Sequence, residues 1–228
     1  MKLKTILALA ISTTFLAACG GGGGGDTVTG PVVTPLSFPL DAAYTKAMTS
    51  GINLNGTAVN GADTYTMSLS ITPAADGTFE GLQSKKAVET LTMKKNGVVF
   101  AVTNIDAYFS INPLTMKGAS YSDGSYAVQT SNTGAYPTSA KVGDSGPQGT
   151  LTLYNSFADR TVKSTTQSSW TMEADTATTA YGCSNSILRN AAGAQTGTAA
   201  GCYKIDANGN VLGMRYTLSV AGLTLVFK

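Results

Sequence analysis

Between residues 65 and 71 the side chains alternate without a break. Tyr65, Met67, Leu69 and Ile71 fall in one phase, and Thr66, Ser68 and Ser70 in the other. Residues 212–220 repeat the pattern, with Leu212, Met214, Tyr216, Leu218 and Val220 against Gly213, Arg215, Thr217 and Ser219. A period of two sends successive side chains to opposite faces of an extended strand, whereas a helix would scatter both sets around its axis. An apolar face backed by a small polar one belongs to an antiparallel strand with a core on one side and water on the other. Further strands are expected at 88–95, 98–103, 150–154, 162–174, 180–188 and 223–227.

The punctuation agrees. Asn55-Gly56, Asn60-Gly61, Asp76-Gly77, Asn96-Gly97, Asp123-Gly124 and Asn208-Gly209 are turn dipeptides. Their first residue tolerates a positive φ and glycine adopts it freely, as tight hairpins require. "LTMKKNGVVFAV" and "YKIDANGNVLGMRYTL" therefore read as hairpins. The expected domain is all-β, with about eight to eleven antiparallel strands forming a sandwich or an open or closed barrel. It spans 41–228, and the strand-poor stretch 131–149 separates two meanders that form either one sheet or two units. One short helix is expected at its start. Asp41 caps "AAYTKAMTS", Tyr44, Ala47 and Met48 share a face, and Gly51 ends it.

The first 18 residues follow a different logic. Lys2 and Lys4 precede an uncharged, mostly apolar run that ends at Phe15, too short for a permanent span of roughly 20 residues. Leu16-Ala17-Ala18-Cys19 follows, matching the lipobox at which bacterial lipoproteins are cleaved and their cysteine acylated. One buried acyl chain anchors marginally and two or more anchor firmly, at about 0.8 kcal/mol per methylene. Cys19 is thus the expected lipidation site, and acyl chains at the N-terminus the expected membrane partner. Gly20 stands where inner-membrane retention favours Asp, which points to the outer membrane and leaves its face unassigned. Residues 19–40, with glycine from 20 to 25 and then three prolines, read as a tether. A coil of about 20 residues spans roughly 25 Å.

Lys2 and Lys4 also account for the whole +2 formal charge, so from Cys19 onward 13 basic residues balance 13 acidic ones. A neutral surface lacks the basic footprint of a nucleic-acid binder. With Cys19 acylated, Cys183 and Cys202 remain. An even pair in an oxidising compartment, without CxxC spacing, is expected to form one disulfide.

"KVGDSGPQGTLTLY", "WTMEADTATTAY" and "YKIDANGNV", together with the lipobox and the glycine run, resemble a set of outer-membrane lipoproteins of Gram-negative, especially beta-type, proteobacteria. The resemblance covers most of the folded domain and is strongest after residue 141. It implies an all-β lipoprotein and carries no activity, because that set has no assigned chemistry.

The residues themselves argue against an enzyme. The chain has no histidine, which removes the usual triads, histidine metal sites and the general base suited to neutral pH. Its three glutamates are Glu80, Glu89 and Glu173, and Asp76, Asp123 and Asp206 sit in turn dipeptides or a turn segment. "DANGN" from Asp206 imitates a calcium loop but has Val211 and Thr217 where an EF-hand needs glycine and glutamate. No catalytic residue, metal or cofactor is therefore expected. Tyr108, Phe109, Tyr121, Tyr126 and Tyr136 gather in a Gly/Ser-rich stretch, where they either form a contact surface or pack over the rim of the β core. Two functions follow as expectations. One is a tethered binding or interaction module for a protein or glycan. The alternative is a periplasm-facing carrier that holds lipid or another apolar ligand against Met67, Met93, Met172 and Met214.

Overall fold

A computed structural model describes residues 36–132 and 134–228. The expected signal segment, Cys19, the glycine run and most of the expected tether lie outside these residues.

The chain begins with β1 (Ser37–Phe38) and α1 (Leu40–Ser50), then enters the barrel wall. Up the wall come β2 (Ile52–Asn60), β3 (Asp63–Phe79), β4 (Leu82–Lys95), β5 (Val98–Ser110), β6 (Thr115–Tyr121) and β7 (Tyr126–Asn132). The short β8 (Ala140–Lys141) leaves the wall to pair with β1. The wall resumes with β9 (Ser145–Tyr154), β10 (Val162–Ala174), β11 (Thr179–Asn190), β12 (Gln195–Asp206), β13 (Val211–Val220) and β14 (Leu223–Phe227). These twelve wall strands pair antiparallel in chain order from β2 to β14, with β7 beside β9. Both meanders thus belong to one sheet. Its two edges meet where Thr57 and Lys228 exchange backbone hydrogen bonds of 3.0 and 3.2 Å, bridging the seam of a nearly closed barrel.

Closure fixes which phase of each strand is apolar. Tyr65, Met67 and Ile71 on β3, Ala87, Leu91 and Met93 on β4, and Met214, Tyr216 and Leu218 on β13 all point into the bore and are buried. The outward phases carry Thr66, Ser68, Thr90, Thr92, Lys86 and Asp106, with ion pairs such as Lys86–Asp106 at 2.6 Å. This is the reverse of a lipid-facing barrel, which wears an apolar band roughly 25 Å tall.

The wall holds twelve strands rather than eight to eleven. Those that the alternation does not announce are β2, β6, β7 and the first half of β12, segments such as INLNGTAVN and QTGTAAG in which small polar residues replace bulky ones. Ladders on both sides hold β6, β7 and β12 as strands despite weak propensity, and β2 is held by its ladder to β3 and the Thr57–Lys228 pair across the seam. Two turn dipeptides are overridden for the same reason. Asn55-Gly56 lies within β2, where a Cβ on Gly56 would come within 2.9 Å of Phe227 Cβ across the seam. Asp76-Gly77 lies at a register shift between β3 and β4. A second shift, between Lys204 and Ile205 on β12, turns Leu212 outward to 54% exposure and Val211 inward against Ile205.

α1 crosses one mouth of the barrel. Leu40 packs so closely over Gly182 on β11 that a Cβ there would lie 2.2 Å from Leu40 Cδ1. Met48, two turns along, packs in one cluster with Ile71, Ala87, Ala107 and Phe109 from β3, β4 and β5 on the opposite wall. Asp41 does not cap the helix, whose N-cap is Pro39. Its carboxylate accepts the Leu114 N–H at 3.0 Å and so ties the helix to the β5–β6 loop. Gly51 ends the helix as expected, at φ +81°.

Candidate functional site

Beneath α1 the bore keeps a cavity of about 150 Å³. Most of its wall is apolar, with Met67, Leu91 and Met214 among the lining residues, but two polar groupings interrupt it. The first is a tyrosine cluster. Tyr44 of α1 stacks on Tyr136 with ring centroids 4.1 Å apart and meets Tyr203 of β12 at 4.8 Å, tilted by 46°. The Tyr44 hydroxyl donates to the Gly182 carbonyl at 3.3 Å. Burial raises the pKa of all three phenols, so they stay neutral donors. The second is Glu89. On β4 it shares the inward phase with Ala87, Leu91 and Met93, faces Ile71 and Ile105 on the flanking strands, and is 9% exposed. Desolvation alone raises its pKa from 4.5 to about 7. It has no hydrogen-bond or ion-pair partner among the described residues. Across the bore Ser168 of β10 is likewise buried and unpartnered, with Thr166 and Ser186 nearby in the inward phase.

A second constellation sits outside the wall. The tip of the β3–β4 hairpin folds back over β6, where Gly118 leaves room for Phe79; a Cβ on Gly118 would lie 2.3 Å from Phe79 Cζ. From Phe79 an aromatic row runs to Tyr108 (4.7 Å, stacked), Tyr126 (5.1 Å, stacked) and from Tyr126 to Phe157 (5.3 Å, edge-on). Arg160 lies over Tyr126 and Phe157, 4.8 and 5.0 Å from their centroids. Its guanidinium pairs with Glu80 at 2.6 Å, and the Tyr126 hydroxyl donates to the same carboxylate oxygen at 2.7 Å. Arg160 first, and then Tyr126, lower the Glu80 pKa. Phe79 and Tyr126 are buried in this stack, while Phe157 is 64% exposed.

The five clustered aromatics therefore part company. Tyr108 and Tyr126 join the outer row, Phe109 and Tyr121 are buried in the bore, and Tyr136 stacks under the helix. Adjacency in sequence hides this because neighbours on a strand face opposite ways. Glu89 was legible in principle as a charge standing in an apolar phase. Phe79, Phe157 and Arg160 carry no local signal, since loops far apart in sequence bring them together.

Cys183 and Cys202 are bonded, directly opposite each other on β11 and β12 and on the outward face. Arg215 of β13 covers them, its Nη2 3.6 and 3.5 Å from the two sulfurs, while it pairs with Glu173 and stacks on Tyr181 at 4.6 Å. Glu173 and the two sulfurs lie within 4.8 Å of one another, but the sulfurs are spent on each other and do not offer a metal site. Asp206 and Asp123 bond their own turns, to Asn208 and Asn210 and to Ser125.

Comparison with protein-family models, curated proteins and solved structures finds no match to this chain.

Proposed function

We propose that this protein is a lipid-anchored module of the cell envelope that presents the outer aromatic row to a protein partner. The observation that carries the reading is the Phe79–Tyr108–Tyr126–Phe157 row with Arg160 laid over it. Tyrosine, arginine and other aromatics are the residues that dominate binding energy at protein interfaces. Here they are held rigid by stacking and by the Glu80 bridge, so little side-chain freedom is left to lose on binding. Exposed Phe157 supplies a ring that would insert into a partner. The lipobox ending in Cys19 and the Gly/Pro-rich tether supply the anchor and the reach. A lipid carrier is the weaker reading, because a cavity of about 150 Å³ falls short of the roughly 300–1,000 Å³ of drug-sized ligand pockets.

The test places a photo-crosslinking residue in the full-length protein at Tyr108 or Phe157, and at Thr224 on a distant strand as control. A discrete protein adduct is expected at 108 and 157 and not at 224, and Arg160→Ala, which removes the cation laid over Tyr126 and Phe157, should weaken it. Adducts of equal yield at all three positions, or a glycan adduct alone, would overturn the partner assignment. Separately, Cys19→Ala should leave the membrane fraction, and its retention there would overturn the anchor.

A further inference from the structure

We infer that the bore is a binding site for a small organic cation, with an ammonium group seated between the Glu89 carboxylate and the Tyr44, Tyr136 and Tyr203 cluster. Glu89 and all three tyrosines line the same cavity. A carboxylate buried without a partner is costly in its ionised form, and a cation of matching size restores the missing interaction. Ammonium groups are also attracted to the faces and hydroxyls of tyrosines, the chemistry by which aromatic cages hold methylated amines.

Size and donor set narrow the ligand. A cavity of about 150 Å³ is the size that accepts benzene, so the ligand is a small mono-ammonium compound and not a polyamine. A divalent metal fits poorly, since calcium takes roughly six to eight oxygen ligands, usually from several carboxylates, and Glu89 is the lone carboxylate lining the cavity among the described residues. An anion is excluded by that same carboxylate. Tyr216 and Arg215 are the remaining titratable residues in the lining, and Arg215 turns its guanidinium to Glu173 on the outer face. Among the described residues, no positive side chain therefore competes for Glu89.

The inference is independent of the outer row and is tested separately. Full-length protein in detergent, labelled at the methionine methyls, is titrated at pH 8 with ammonium, methylammonium, trimethylammonium and tetramethylammonium, and with neutral tert-butanol. Met48, Met67 and Met214 line the cavity and Met172 does not. At least one ammonium probe should shift the first three methyl signals and spare Met172, with tert-butanol binding much more weakly. Glu89→Gln, which keeps the shape, should weaken that binding by about thirtyfold or more, as expected for loss of a buried charge partner. Glu89→Leu should do the same. Absence of cavity shifts with every ammonium probe, or equal affinity in the folded Glu89 variants, would overturn the site.

Discussion

Thr57 and Lys228 bond to each other twice, N–H to carbonyl in both directions, at 3.0 and 3.2 Å. That pair converts a linear meander into a barrel, and the residues around it are shaped for closure. Phe227 is fully buried behind the seam, and Gly56 is bare because a Cβ would strike it. Without closure β2 and β14 would be edge strands with unpaired backbone groups, a template for aggregation.

Phe227→Ala should therefore destabilise the protein by about 3–5 kcal/mol, through lost burial and the cavity left behind. Urea unfolding monitored by tryptophan fluorescence checks this through the midpoint. A change below about 1 kcal/mol would mean that the seam contributes little to the fold.

The disulfide closes a loop with a sequence separation of 19 residues, inside a hairpin whose ladder already aligns the two strands. On the chain-entropy account it contributes about 3 kcal/mol, chiefly by restricting the unfolded chain. Cys202→Ser should lower the melting temperature in oxidising buffer and abolish its response to reductant. A variant that melts with the oxidised wild type would remove the bond from the stability account.

Glu89 gives stability an unusual pH dependence. Its pKa is raised on folding from 4.5 to about 7, so between these values the native state binds the proton that the unfolded chain has lost. The contribution of Glu89 is fully present below pH 4.5, falls as pH rises to about 7, and is flat beyond. The fall amounts to about 3 kcal/mol. The chain has no histidine, and Asp63, Glu80, Asp159, Asp175 and Asp206 are shifted downward, below this window. Denaturant midpoints measured from pH 4.5 to 8 in amine-free buffer should show the decline in wild type and a level profile in Glu89→Gln. An equal decline in both would assign it to another group.

What the sequence determined by itself is everything local. The alternation at Tyr65–Ile71 assigned strand and inward phase together, because a period of two is a property of the single strand. The turns at Asn60-Gly61, Asn96-Gly97, Asp123-Gly124 and Asn208-Gly209 follow from positive φ at their glycines, and the pairing of Cys183 with Cys202 from their being the even remainder. The tertiary structure decided whatever depends on which strands become neighbours. It closed the barrel rather than stacking two sheets, made a strand of Asn55-Gly56, and sent Tyr108 outward while Phe109 went in. It also brought Glu89, Tyr44, Tyr136 and Tyr203, each unremarkable in its own segment, to one cavity. Sequence patterns report how a residue sits relative to its own strand, whereas a site in a barrel is made across the bore, by residues whose separation along the chain says nothing of their distance in space.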